Sequence, residues 1–304
     1  MLTNNNKMII NKLAKNSVKS NKKQYGILFF TIVLSAFMLF CVFTIGLTYL
    51  DSSRLQNTRL NGAEYDITTM NGFTSKQVKS LQSNKNIQNV GMESYAGFIK
   101  RSKFDNTVEI GLLWCDETFW NNLMSPARTK LDGHYPQNKN ELMVTKDILK
   151  ACGNENLSVG DSIVLTYENN TGVHTDKFVI SGIWDGYGDK SAGFVSKNFY
   201  NETGYDLKND GILCIKLNRN YVLPTTIQSL EKSLNFSDRQ IFAPTDYIEN
   251  SFKLLLGICG LALVICLSAY LLIYNILYLS ISGKIRYYGL LQSLGMTKKQ
   301  LVRF

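Results

Sequence analysis

The sequence predicts an α+β membrane protein in which two transmembrane helices flank an extracytoplasmic α+β domain, with cytosolic amphipathic helices at both ends. Three observations carry this: two long uncharged runs, the confinement of every acidic residue between them, and alternating strand and helix signals in the middle. The runs, Gln24 to Leu50 and Leu254 to Gly283, each exceed the roughly 20 apolar residues that span a ~30 Å hydrocarbon layer. All 24 Asp and Glu lie between Asp51 and Glu249, with 21 of the 33 Lys and Arg, so this region is near −3 although the chain totals +9. Both flanks are purely basic, which by the positive-inside rule places them in the cytosol and residues 51–251 outside.

Residues 1–23 read as a cytosolic amphipathic helix on the inner membrane surface. Met8, Ile9 and Leu13, with Ile10 and Ala14, fall toward one side among Lys7, Lys12, Lys15 and Lys19. The first span, 24–50, carries Tyr25 and Tyr49 near its ends, as an interfacial aromatic belt requires. It is longer than the apolar core of a signal peptide, and no Ala-x-Ala-like site follows, so it reads as an uncleaved anchor. Helix should continue through Asp51 to Leu60.

In the outer region, strands are expected at 64–69, at 87–100 as one or two, and at 107–114. A helix over 74–82 is capped by Thr74 or Ser75, and another is expected over 116–124. DGHYPQNKNELMVTKDILK gives a turn, a short strand and a helix after Thr145; two strands joined by an Asn169 to Gly172 turn follow, then GFVSKNFY. A strand at 211–218, a helix over 224–234 with Pro224 in its first turn, and a strand at 240–243 close the region. The late strands should return beside the early ones. That gives a membrane-proximal αβ subdomain made from both ends, with a β-rich insert, about 125–205, standing farther out. The second span, 252–281, carries Tyr270, Tyr274 and Tyr278 as a stripe at helical spacing, suited to helix packing.

The stretch YNILYLSISGKIRYYGLLQSLGMTKKQL, residues 274–301, is the most informative. Tyr287, Leu290, Leu291 and Leu294 fall at i, i+3, i+4 and i+7, one helical face, with Lys284, Arg286 and Gln292 turned elsewhere. Gly295 suits a left-handed terminus, and Thr297 with Gln300 has capping-box spacing for a new helix. From this pattern alone the segment reads equally well as an interfacial helix held by anionic lipid.

Its residues also resemble the signature of FtsX-like (MacB-type) ABC transporter permeases. The matching positions are Asn275, the basic pair Lys284 and Arg286, the Tyr288-Gly289 step, and the block Leu290 through Gln300. The order Gly-x-Tyr-Pro, Asn-Glu-Leu, Val-Gly-Asp, Phe-x-Ile-Ser-Gly-Ile in the outer region resembles the extracytoplasmic domain of the same family. The resemblance implies that 282–296 is a coupling helix touching a separate cytosolic ABC ATPase. The partner-binding residues would be Lys284, Arg286, Tyr288, Gly289, Leu291, Leu294 and Gly295. It further implies a bacterial plasma-membrane protein working as a homodimer or with a second permease half, among membrane lipids. ATP hydrolysis would drive mechanotransmission that expels peptides, antibiotics, lipids or lipoproteins. Residues 297–304 would begin a third span, making the chain the first part of a permease.

The chemistry of other classes is missing. No Gly-x-x-x-x-Gly-Lys-(Ser/Thr) occurs, so ATP would be bound by the partner, and no cofactor is expected in this chain. His134 and His174, the only histidines, lack zinc-pair spacing, and no Ser, His and Asp set stands out, so no metal, no catalytic residue and no enzyme are expected. Asp185 and Asp189 in WDGYGD read as a polar turn. The basic excess sits beside apolar runs, not on an aromatic-studded surface, which argues against nucleic acid. Of six cysteines, Cys41, Cys259 and Cys266 lie in the spans. Cys115, Cys152 and Cys214, an odd set, read as buried free thiols, with a Cys152 to Cys214 bridge as the alternative. Sequons at Asn169, Asn201 and Asn235 matter only in a eukaryotic secretory setting. Two other readings are an FtsX-like activator of a cell-wall hydrolase and a two-span sensor, the latter disfavoured by the lack of long signalling heptads.

Overall fold

The computed structural model describes residues 11, 12, 15, 16, 19–100, 110–187 and 192–303. The chain divides into two compact units, a helical one from residues 1–49 and 255–304 and a sheet-containing one over Leu50–Leu254. The amphipathic helix expected over residues 4–20 falls largely outside the described residues.

In the helical unit, α1 (Lys22–Asn61, as far as Tyr49) runs antiparallel to α6 (Asp246–Ser282, from Leu255). Gln24 Nε2 donates to Ile276 O at 3.3 Å near one end, and near the other a Cβ on Gly46 would lie 2.7 Å from Ile258 Cδ1. The covered residues step by three and four, Gln24, Leu28, Thr31, Ser35, Leu39, Val42 and Gly46 on α1, and Leu255, Ile258, Ala262, Ile265, Ala269, Ile273 and Ile276 on α6. Small residues, Ser35, Gly46, Ala262 and Ala269, lie in these stripes, as close helix packing in lipid favours. Most of the remaining surface is exposed and apolar, including Phe29, Phe37, Phe40, Leu263 and Leu272. The most apolar 18-residue window of each helix has a mean hydropathy of 2.6, and 0% and 11% of those windows are buried. Apolar faces left open on two such helices belong in hydrocarbon, since a soluble core helix would cover them.

The sheet unit starts from a βαβ-βαβ frame. Its parts are β1 (Ile67–Met70), α2 (Ser75–Gln82), β2 (Ile87–Ile99), β9 (Ile212–Leu217), α5 (Pro224–Ser233) and β10 (Ile241–Pro244). The four strands are antiparallel in the order β10-β1-β9-β2, the ferredoxin-like arrangement. Leu81 of α2 and Ile227 and Leu230 of α5 pack with Ile67, Val90, Leu213 and Ile215 of the strands. The expected return of the late strands to the early ones is what forms this frame. Thr74 caps α2 as expected, accepting from Gln77 N at 3.3 Å while Gln77 Oε1 accepts from Thr74 N at 2.8 Å.

Between β2 and β9 the chain adds β3 (Ile110–Cys115), β4 (Arg128–Gly133), β5 (Glu141–Thr145), α3 (Lys146–Ala151), β6 (Ser162–Asn169), β7 (Gly172–Gly186), β8 (Ala192–Val195) and α4 (Lys197–Tyr200). Pairings β2-β3, β3-β8, β8-β5, β5-β7, β7-β6 and β6-β2 form a closed six-strand ring. Alternate residues fill it: Leu112 and Trp114, Leu142 and Val144, Ile163, Leu165 and Tyr167, Phe178 and Ile180. The β-rich insert is therefore not a separate sheet. It borrows β2 and β3 from the preceding chain, because β2 is long enough to serve two partners on one edge. Residues 87–93 pair with β9, and after a shift between Tyr95 and Gly97, Phe98 and Ile99 pair with β6. Gly97 has φ 151°, and a Cβ there would meet Glu168 O at 2.8 Å, so a side chain would block the crossing.

The segment expected to be helical over 116–124 is helical from 117 to 123, with its Phe119–Leu123 part π-helical, and a 3₁₀ turn, Ser125–Ala127, follows. Asp116 Oδ1 accepts from Met92 N at 2.9 Å and Phe119 N at 2.8 Å, tying this turn to β2. Burial still pushes the Asp116 carboxyl above its ordinary range, although those bonds pull it down. The expected strand start at 107–109 lies outside the described residues, as does Asp189.

Candidate functional site

The segment that carries the sequence signature forms two sharp breaks around a short helix. Helix α6 closes with Gly283 N donating to Leu279 O at 3.0 Å and Lys284 N to Ile281 O at 3.0 Å. Lys284 then leaves helical geometry (φ −114°, ψ 11°) and starts α7, Ile285–Ser293, with no side-chain cap. Tyr288 N donates to Lys284 O at 3.0 Å, so the new helix begins at once.

Its other end is a Schellman motif. Gly295 N donates to Gln292 O at 3.0 Å, Met296 N to Leu291 O at 3.1 Å, and Gly295 sits at φ 95°. A Cβ at Gly295 would meet nothing within 4 Å, so positive φ, not crowding, is what calls for glycine. Helix α8 (Lys298–Arg303) follows, opened by Leu301 N donating to Thr297 O at 2.9 Å. The side chain of Gln300, the other half of the anticipated capping box, lies outside the described residues.

The apolar face read from sequence is divided in two. Leu291 is 9% exposed and packs within the chain, with Lys284 and Tyr288 half-covered on the same side. Burial, with Tyr25 and Tyr287 nearby, pushes the Tyr288 phenol above its ordinary value. Tyr287, Leu290 and Leu294 remain 42%, 59% and 76% exposed, and Arg286 is exposed too. Gly289 is exposed, and a Cβ on it would meet nothing within 4 Å. Of the seven anticipated partner residues, Leu291 serves internal packing and Gly295 geometry; Arg286, Gly289 and Leu294 are outward, while Lys284 and Tyr288 are intermediate. Leu290 and Tyr287 join the outward set.

On α6 the rings of Tyr270, Tyr274 and Tyr278 stack at 6.3 and 6.1 Å, and all three are exposed. Within the described residues the stripe packs against itself, not against another helix. Elsewhere, no group of three or more His, Cys, Asp or Glu among the described residues could hold a metal ion. His134 Nδ1 lies 3.0 Å from Tyr135 O, His174 Nε2 lies 2.8 Å from Thr171 Oγ1, and Asp185 accepts from Gly186 N at 2.9 Å. None of the six cysteines forms a disulfide, and Cys115 and Cys214 are buried, so the alternative Cys152 to Cys214 bridge is not formed.

The described residues thus define an α+β membrane protein, two long apolar helices flanking a β-rich domain. Among solved structures, the chain is similar to the periplasmic region of MacB from Actinobacillus actinomycetemcomitans, with 14% identity over 64% of this chain and 95% of that one and a TM-score of 0.41. It is similar to the extracellular domain of the noncanonic ABC-type transporter YknZ from Gram-positive bacteria, with 10% identity, 60% and 99% coverage and a TM-score of 0.39. A third is a domain of a candidate permease protein from Porphyromonas gingivalis, with 9% identity, 60% and 88% coverage and a TM-score of 0.37. No family model and no curated protein matches the chain.

Proposed function

We propose that this chain belongs to the permease of an FtsX/MacB-like ABC transporter, and that α7 is its coupling helix. The observation that carries the reading is a short helix, isolated by two backbone breaks, that keeps Tyr287, Leu290 and Leu294 exposed beside Arg286 and an unfilled Gly289. A glycine inside a helix costs about 1 kcal/mol relative to alanine, and nothing among the described residues uses the space it leaves. A partner surface approaching at Gly289 would use it.

In this mechanism the ATPase is a separate cytosolic subunit, and ATP is bound there. Tyr287, Leu290 and Leu294 seat in an apolar groove of that subunit, while Lys284 and Arg286 meet its acidic groups. Closure of the ATPase displaces α7, and the stiff helix α6 passes the displacement outward. The sheet unit then acts on peptide, antibiotic or lipid cargo outside the inner leaflet, so no channel through the chain is needed. A homodimer or a second permease half completes the machine, with the N-terminus cytosolic.

The test is co-purification of the membrane-embedded chain with an ATPase identified by its Walker sequences. Charge reversal at Lys284 and Arg286, or Leu290→Asp, should reduce recovery at least about tenfold, since each removes a central contact. Undiminished recovery with both variants would overturn the assignment.

A further inference from the structure

The ferredoxin-like frame contains a cleft that the proposed coupling leaves unused. It encloses about 560 Å³ where the turn before α2, the 206–210 turn and the loop from α5 to β10 converge. Its lining holds three cations, Lys76, Lys208 and Arg239, and no carboxylate; Leu234 is the single apolar residue, and the rest are amides and hydroxyls.

The floor is fixed in advance by a pair of glutamines. Gln77, 6% exposed, donates from Nε2 to Leu234 O and Gln240 Oε1, both at 3.1 Å. Gln240 donates to Gly72 O at 2.7 Å and accepts from Ser237 N at 3.0 Å. One consequence is electrostatic: the carbonyl of Leu234, at the negative end of α5, accepts from Gln77, which offsets part of its charge. On the opposite wall, the first turn of α2 carries no acidic residue.

The cations are held apart from counter-ions. None of Lys76, Lys208 and Arg239 forms an ion pair among the described residues. The neighbouring acids, Asp206, Asp210 and Asp238, are not in the lining. Asp206 attracts Lys208 but is engaged by Asn209 N at 2.8 Å and Asn209 Nδ2 at 2.7 Å, and Asp210 accepts from Asp206 N at 2.9 Å.

We propose that this cleft binds a phosphate-bearing polyol. Three converging cations suit a phosphate, which offers more acceptor oxygens than a carboxylate. The surrounding amides and hydroxyls suit polyol oxygens. The volume lies within the range of small-ligand pockets, well beyond what one phosphate fills. The same chemistry is offered by a soluble glycerol phosphate and by the head group of phosphatidylglycerol.

The experiment uses the whole chain in phosphatidylcholine nanodiscs, titrated calorimetrically with glycerol 1-phosphate, inorganic phosphate and glycerol. Glycerol 1-phosphate should bind more tightly than either fragment. Arg239→Glu and Lys208→Glu, made separately, should each weaken it by roughly tenfold or more, and Lys177→Glu on the outside of β7 by less than about twofold. Tryptophan fluorescence melting would verify that each variant is folded. Repeating the titration in phosphatidylglycerol nanodiscs separates the sources: competition that Arg239→Glu abolishes identifies a lipid head group, and unchanged binding identifies a soluble ligand. Absence of glycerol 1-phosphate binding, or equal binding by both cleft variants and the wild type, overturns the proposal. ATPase co-purification is independent of this readout.

Discussion

Lys216→Met should unfold the sheet unit at a markedly lower temperature, through charge and not through packing. The Lys216 ammonium lies 3.3 Å from Glu64 Oε1 and 3.3 Å from Asp66 Oδ2, with side-chain exposures of 8% for Lys216, 26% for Glu64 and 2% for Asp66. Asp66 Oδ2 also accepts from Leu217 N at 2.8 Å, and Asp66 N donates to Ile215 O at 2.9 Å, so the triad joins the chain leaving α1 to β9. At 3.3 Å and an effective dielectric of about 20, each attraction is worth roughly 5 kcal/mol, offset in large part by desolvation. Removing the cation leaves two carboxylates in a poorly solvated site, a loss of about 3–5 kcal/mol. For a domain of this size that corresponds to a fall of about 6–20 °C in melting temperature.

The assay is melting followed by tryptophan fluorescence, since Trp114, Trp120 and Trp184 all lie in the sheet unit. Its pH dependence separates charge from packing. Burial raises the Asp66 carboxyl above its ordinary value of 3.8 even with Lys216 and Leu217 N pulling it down. A raised acid binds its proton more tightly in the folded chain. Its contribution is therefore fully present below the ordinary carboxylate value and is lost as pH rises through the folded value. Without Lys216 the rise grows, so the deficit of the variant should be larger at pH 8 than at pH 5, and Lys216→Met/Asp66→Asn should recover most of it. A deficit that is independent of pH, or a double variant no better than the single one, would refute the reasoning.

Three further outcomes are expected. Gly91→Ala should cost about 1–3 kcal/mol in the same melt, because a Cβ there would meet Leu123 Cδ1 at 2.7 Å and Phe119 Cα at 2.9 Å in the π-helical turn. Thr74→Ala removes both the cap on Gln77 N and a partner of the buried Gln77 amide, and should cost about 1 kcal/mol. Gly295→Val should weaken ATPase co-purification while Gly295→Asn largely preserves it, since asparagine tolerates φ near 95° far better than a β-branched residue does.

Local features were legible where the signal is local. The α2 cap, expected at Thr74 or Ser75 and found at Thr74, the helix after Thr145, and the Asn169 to Gly172 turn between β6 and β7 all depend on residues a few positions apart. So do the two long apolar helices and the Gly295 terminus. The π-helical turn was not legible, because Asp116 holds it from outside through Met92 N and the close approach at Gly91. On α7, periodicity located an apolar face but not its division, since only the fold determines that Leu291 packs inward while Leu290 and Leu294 face out.

By itself the sequence determined the classes of element, the basic flanks beside two apolar spans, and the signature over residues 274–301, because hydropathy, charge and capping are read within a turn or two of chain. Only the tertiary structure decided that β2 serves both the ferredoxin-like frame and the six-strand ring, and that Lys76, Lys208 and Arg239 line one cleft. Those facts rest on pairings and packing between residues tens to more than a hundred positions apart, where the free energy of burial and register, not local propensity, selects the partner.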